Sequence, residues 1–143
     1  MPTYRPNAIA GMIDDALLPG CCPHHLPDRT GQPFATAVSG KLAVQGIVPI
    51  TSELARLECR VKPMRDGNLI LLRDFDDYFA NTIVDLVPLT RDAVDKATEI
   101  RAQFNFKTPD SLHLAAAVIA NCDVFLTNDQ RLSRFTGITI ETL

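Results

Sequence analysis

Three acidic side chains occupy positions where an α/β domain has no obvious structural need for them: Glu58, Asp110 and Asp129. Carboxylate oxygens are hard ligands and suit Mg²⁺ or Mn²⁺. Acids that share one site repel each other, so a cation would stabilise them together. A bound cation can also activate water and stabilise the charge that develops on a phosphodiester during in-line attack. If the three acids meet, the chemistry they predict is metal-dependent phosphodiester hydrolysis.

Glu58 has a structural explanation as well as a functional one. It belongs to a predicted helix over residues 53–61 and points with the apolar face of that helix. The apolar residues of this face are Leu54, Leu57 and Val61. A carboxylate on a buried face is costly unless it is paired or bound to metal. An ion pair with an arginine such as Arg73 or Arg101 therefore explains Glu58 as well as a metal does.

Asp110 and Asp129 lie next to predicted helix starts, where the helix dipole favours an acid in any case. Asp110 is in the first turn of a helix beginning at Thr108-Pro109, and the continuation from Leu114 to Ala120 is apolar nearly all round. Asp129 follows the apolar strand Val124–Thr127, and sites in parallel sheets form beyond such strand ends. Asp129 could equally be a helix cap, so the sequence leaves both explanations open.

The elements that would position these acids alternate between strand and helix from Phe34 onward. Strands are predicted near 47–50, 83–87, 124–127 and 138–140, with helices between them. Such alternation predicts a parallel sheet covered on both faces. The expected fold is therefore a three-layer α/β/α domain over 34–143, with a central and mostly parallel sheet. Residues 1–33 hold six of the ten prolines and show no regular period, so they are expected to form an irregular segment.

Composition limits the classes of function. The 143 residues suit one domain, and the chain has no apolar run long enough to span a membrane and no secretion signal. A net charge of −3 argues against broad electrostatic coating of nucleic acid, although a local metal site would reverse that sign. The cysteine spacing fits neither a disulfide framework nor paired zinc knuckles, and the run 21–25, Cys-Cys-Pro-His-His, cannot easily wrap one zinc ion. A cytoplasmic location is the default.

Three stretches that carry the acids resemble the PIN-domain family, in the family's order and within roughly residues 34–143. They are Ser52–Cys59, Lys107–Ala117 and Phe125–Leu132. The resemblance implies that Glu58, Asp110 and Asp129 are catalytic ligands of Mg²⁺ or Mn²⁺, with Asn128 or Thr127 as polar helpers. It further implies a VapC-type toxin of a toxin–antitoxin pair. Such a toxin is a homodimeric endoribonuclease held silent by a cognate antitoxin, with structured RNAs such as transfer RNA as typical targets.

The N-terminal part departs from this family pattern. The family begins with a buried strand that ends in an Asp, and the sequence offers only a faint equivalent at residues 12–18. Asp14, or Asp15, could stand in as the first metal ligand, and the first strand could be lost. Pro19 and Pro23 would break the helix that should follow. One hypothesis is a reading-frame shift over Leu17–Thr30, because the codons allow a strand-and-helix sequence one nucleotide later; the gene's nucleotide sequence tests it.

The N-terminal departure and the structural explanations of the acids leave two competing functions open. A catalytically inactive PIN-like protein would keep only antitoxin or dimer binding, and a small α/β binding domain would hold the three acids far apart. His113 lies one turn from Asp110 and could support a ligand, although a satisfied structural histidine is the commoner case. A basic run near Glu58 could hold phosphates or simply be a solvated helix face; its members are Arg56, Arg60, Lys62 and Arg65.

Overall fold

A five-stranded parallel sheet forms the centre of the molecule. The computed structural model describes residues 10–13, 48–81, 83, 85–127 and 129–142. The strands are β1 (Ala10–Ile13), β2 (Val48–Ser52), β3 (Asp85–Val87), β4 (Val124–Thr127) and β5 (Thr139–Thr142). Their order across the sheet is β3-β2-β1-β4-β5, and every pairing is parallel. The predicted α/β class with a parallel sheet is confirmed.

Helices connect the strands, and local sequence signals mark where they begin and end. The described helices are α1 (Glu53–Arg65), α2 (Leu69–Asn81), α3 (Arg91–Phe104), α4 (Thr108–Ile119) and a 3₁₀ helix, η1 (Gln130–Arg134). Ser52 caps α1 and Thr90 caps α3, each accepting a backbone N–H with its hydroxyl oxygen. Gly67 follows α1 with a φ of +66°, a conformation that glycine adopts without strain. None of the helices in the described part of the chain is long and apolar enough to cross a membrane.

Apolar side chains form a core on each face of the sheet. One core cluster joins β4 to α3 and α4, through residues that include Phe125, Ile100 and Leu114. The other joins β4 to α1 and α2, through residues that include Leu126, Cys59 and Phe79. Phe125 and Leu126 are adjacent on β4, and successive strand residues point to opposite faces. One strand therefore supplies both cores, and the arrangement is the predicted three-layer one.

The first strand, which the sequence left in doubt, is present and central. β1 lies between β2 and β4, with Met12 in register with Ile50 on one side and Phe125 on the other. The expectation that residues 1–33 are irregular is therefore wrong at β1, whereas the division near residue 33 stays a prediction. Two of its four residues, Ala10 and Gly11, are of types depleted in strands, so pairing with two neighbours contributes much to its conformation. Asp14 and Asp15 lie outside the described residues, as does the segment 34–47.

The buried face of α1 differs from the predicted one. Leu57 and Val61 are 56% and 48% exposed, whereas the buried residues of the helix are Ala55, Cys59 and Pro63. The prediction of the buried face failed because it was made from hydrophobicity alone, which favours large apolar side chains. Close packing favours compact side chains where a helix lies against its neighbours. The helix also continues through Pro63 to Arg65, beyond the predicted end at residue 61.

The two cysteines in the described residues have different states. Cys122 is free and 8% exposed, and burial raises the pKa of its thiol to about 12, so the thiol stays protonated at neutral pH. Cys59 is fully buried and disulfide-bonded, which the cysteine spacing did not predict. A single bridge falls short of the disulfide-dense framework of small secreted domains. The cytoplasmic location stays a prediction.

Candidate functional site

Two inner strands end in polar residues at the same edge of the sheet. β2 and β4 run in the same direction and end at Ser52 and Thr127, both fully buried. Ser52 caps α1, the helix that carries Glu58. The Thr127 hydroxyl oxygen accepts the backbone N–H of Asp129 at 3.0 Å. The chain segments that bear two of the candidate acids are therefore fixed to the carboxyl ends of strands, where parallel sheets form their sites.

Glu58 is paired with a histidine rather than with an arginine. Its side chain is 23% exposed, and its Oε2 lies 3.3 Å from Nε2 of His113 on α4. Arg101, one of the arginines considered as a partner, donates instead to the backbone carbonyl of Phe106. The structural alternative for Glu58 was right in kind, because the carboxylate has a partner in the fold, but it named the wrong residue type.

His113 connects three elements at this point. Its side chain is only 2% exposed, and its Nδ1 lies 3.0 Å from the hydroxyl oxygen of Ser52. The ring thus joins the end of β2 to Glu58 on α1, while its own backbone belongs to α4. A buried imidazole needs partners for both nitrogens, and both have one here. The contact between Ser52 and His113, 61 residues apart, has no signal in the sequence.

Asp129 caps the 3₁₀ helix and is held by Arg131. Its Oδ1 accepts the backbone N–H and the Nε–H of Arg131, both at 3.0 Å. Its Oδ2 accepts from Nη2 of the same arginine at 2.6 Å. This hydrogen-bonded guanidinium holds the pKa of Asp129 below its usual range, and the charge of Lys107 adds a weaker effect in the same direction. The capping alternative for Asp129 is therefore realised.

Asp110 lies near the same guanidinium. It is half-buried in the first turn of α4, where it faces the positive end of the helix dipole. The pKa of Arg131 is raised chiefly by its hydrogen bond to Asp129 and also by the charge of Asp110. Arg131 therefore interacts with both acids. His113, the partner of Glu58, lies three residues after Asp110 on the same helix face.

Contacts thus link Glu58 and Asp129 to the start of α4 indirectly, Glu58 through His113, and Asp129 through Arg131, which also feels the charge of Asp110. Within the described ranges, no three side chains of His, Cys, Asp or Glu are grouped closely enough to hold a metal ion. Asp14 and Asn128, the other predicted members of the site, lie outside those ranges. The assignment of Glu58, Asp110 and Asp129 as metal ligands stays a prediction.

The basic run on α1 is largely paired within the helical layer. The Nε of Arg60 lies 2.7 Å from Asp76 on α2, and Arg56 reaches the same carboxylate at 3.8 Å. Lys62 pairs with Asp66 at 2.7 Å. These contacts match the expected solvated helix face, in which neighbouring acids already balance the positive charge.

Fold and site together define a class of protein: a three-layer α/β domain with a parallel sheet and acidic side chains near the carboxyl ends of its strands. The family model of the PIN domain matches residues 25–138, which is most of the chain. The chain belongs to the PIN-domain family, and the resemblance inferred from the three acid-bearing stretches is confirmed. No curated protein sequence matches the chain significantly.

Solved structures with the same fold include two from toxin–antitoxin systems. VapBC2 from Rickettsia felis, bound to a DNA fragment from its promoter, superposes with a TM-score of 0.68 at 11% identity, covering 94% of this chain and 98% of that one. A toxin–antitoxin complex from Klebsiella pneumoniae gives a TM-score of 0.65 at 14% identity, covering 91% of this chain and 96% of that one. At these identities the likeness establishes the fold.

Proposed function

We propose that this chain is a Mg²⁺-dependent endoribonuclease, the toxin of a toxin–antitoxin pair. The observation that carries the proposal is membership of the PIN family over residues 25–138, a stretch that contains all three candidate acids. Each acid is half-buried, which suits a carboxylate that must meet both a metal ion and a solvent-borne substrate. Structural likeness to VapBC2 and to a second toxin–antitoxin complex supports the assignment to toxins.

The donor chemistry of the acids fits Mg²⁺ or Mn²⁺, because all three offer carboxylate oxygens. Glu58, Asp110 and Asp129 would hold the ion, and Asp14 is the tentative fourth ligand. Asp129 would have to exchange its bonds with Arg131 for the metal. When bound, the metal would supply an activated water and charge stabilisation at the phosphodiester. The chain itself contributes His113, which holds the carboxylate of Glu58, and Thr127, which fixes the backbone at Asp129.

A protein partner is also part of the proposal. The two similar structures come from toxin–antitoxin systems. We therefore propose that a cognate antitoxin binds and silences this chain, and that the chain itself assembles as a homodimer. Large apolar side chains are left exposed on α1, at the helical spacing of one face: Leu57, Val61 and Met64. Such a stripe is typical of a surface that another protein covers.

A catalytically inactive PIN-like protein is the second candidate. The observation that favours it is the bonding of Asp129, whose two oxygens both accept from Arg131. In that protein the arginine would replace the metal permanently and only partner binding would be kept.

RNA cleavage by the purified chain distinguishes the two candidates. We expect cleavage that needs Mg²⁺, stops with EDTA and falls at least about 100-fold in Asp110→Asn, since a metal ion supplies several kcal/mol of transition-state stabilisation. Asp95→Asn, an exposed acid on α3, is the matched control and should cleave normally. Activity that survives EDTA or Asp110→Asn would contradict the mechanism, and no activity under any condition would favour the inactive protein.

A further inference from the structure

The most deeply buried ionisable side chain near the candidate acids is His113. It is 2% exposed and is surrounded on α4 by residues that are fully or almost fully buried, among them Ser111 and Leu114. Burying an imidazole among apolar side chains is costly unless both nitrogens are satisfied. One of the two partners is the carboxylate of Glu58, so the bond joins the core to a candidate ligand.

The hydrogen bonds around His113 have a consistent direction. A carboxylate can only accept, so Nε2 of His113 donates to Oε2 of Glu58, 3.3 Å away. A neutral imidazole with its hydrogen on Nε2 has a lone pair on Nδ1, which accepts the hydroxyl hydrogen of Ser52 at 3.0 Å. The Ser52 hydroxyl oxygen also accepts the backbone N–H of Ala55 at 3.3 Å, which is compatible with that donation. The end of β2 thus sets the orientation of a ring that in turn holds an acid on a different helix.

We propose that His113 is a positioning residue that holds the Glu58 carboxylate in place for the divalent cation, with Ser52 as its anchor. The inference rests on the proposed metal-dependent function. A glutamate side chain has several rotatable bonds, and fixing it before the ion arrives removes part of the entropic cost of binding. Groups that orient metal ligands in this way typically change metal affinity 10–100-fold when they are lost. The Glu58 side chain is 23% exposed, and its hydrogen bond to the buried His113 ring is one restraint on its position.

The alternative is a histidine that serves only the core, and a pair of substitutions separates the two roles. His113→Gln places an amide N–H near the position of Nε2 and can still donate to Glu58. His113→Asn places its amide near Nδ1 and can keep the bond to Ser52, but is too short to reach Glu58. Both variants keep a polar group in the buried site, so a purely structural role predicts the same metal affinity for both.

The experiment measures Mn²⁺ affinity of the full chain by electron paramagnetic resonance, with folding checked by circular dichroism. We expect His113→Asn to bind Mn²⁺ about ten-fold or more weakly, and His113→Gln to stay within about three-fold of the unchanged protein. Ser111→Ala is the matched control, because Ser111 is equally buried on α4 and its hydroxyl donates within the helix, to the Lys107 carbonyl. Equal affinity of the two His113 variants would overturn the proposal.

Two further variants complete the design. Ser52→Gly removes the anchoring hydroxyl at little cost to the helix cap, and we expect weaker Mn²⁺ binding here too. If His113→Asn does not fold, unchanged affinity in Ser52→Gly would overturn the proposal. Glu58→Gln tests the underlying function. If it leaves Mn²⁺ affinity unchanged, the proposed metal site is wrong; if it weakens binding while His113→Asn does not, only the role of His113 is wrong.

Discussion

At the residue scale, Asp129 and Arg131 form a local pair that competes with any metal. The arginine binds both carboxylate oxygens side-on, and its own side chain is 66% exposed. Exposed ion pairs contribute only about 0.2–1 kcal/mol, because water and salt screen them. A guanidinium held this weakly can occupy the acid in the absence of metal and still be displaced by a divalent cation.

Arg131→Gln should therefore strengthen metal binding. We expect Mn²⁺ affinity to rise up to about five-fold, which corresponds to the free energy of an exposed pair. Calorimetric titration of the purified chain measures it.

Lys107→Gln is the control for charge alone, since Lys107 acts on Asp129 through its charge without a side-chain bond. A smaller rise is expected there. An equal rise in both variants would mean that Arg131 acts only as a nearby positive charge, and a lower affinity in Arg131→Gln would contradict the competition.

At the element scale, two helices begin with the same type of side-chain cap, but the two caps make different further contacts. The hydroxyl oxygens of Thr90 and Ser52 each accept the N–H three residues later, at 3.2 and 3.3 Å. Thr90 is exposed, and its hydroxyl caps α3. Ser52 is fully buried and also bonds His113 on another helix. The same type of cap thus belongs to a tertiary contact at Ser52, whereas at Thr90 it is a bond within the helix start.

Alanine substitutions at the two caps should separate these contributions. Thr90→Ala should cost about 1 kcal/mol of unfolding free energy, the usual value of a lost cap. Ser52→Ala should cost about 1–3 kcal/mol more, because a buried polar partner is also lost. Urea denaturation at neutral pH measures both. Equal losses would show that the Ser52–His113 bond contributes nothing to stability.

At the scale of the whole molecule, β4 couples the two cores. Phe125 and Leu126 are both fully buried and belong to different core clusters. A destabilising substitution on one face of the sheet should therefore also destabilise the other face, because both cores share this strand. The surface of α1 contrasts with this interior, because Leu57 is 56% exposed.

Leu126→Ala should lower the free energy of unfolding by about 2–5 kcal/mol, as other large-to-small core changes do. Hydrogen exchange should show lost protection in α4 as well as in α1 and α2, because the domain unfolds as one unit. Leu57→Ala is the surface control and should change stability by less than about 0.5 kcal/mol. Loss of protection confined to α1 and α2 would contradict a shared core.

Local chemistry made several features predictable from the sequence. The strand Val124–Thr127 and the helix start at Thr108 both appear where the sequence placed them. Each depends on residues within a few positions of one another, so a short window contains the necessary information. The PIN resemblance was likewise carried by short contiguous stretches.

The features that the sequence missed all depend on residues far apart in the chain. β1 is a strand because β2 and β4 pair with it from both sides, not because of its own residues. Glu58 meets His113 across 55 positions in the sequence. The buried face of α1 follows from how closely it packs rather than from its largest apolar side chains. By itself, then, the sequence determined most of the elements from Val48 onward and the family, because these follow from neighbouring residues. Only the tertiary structure decided the partner of Glu58 and the conformation of β1, because packing and pairing over long separations select them.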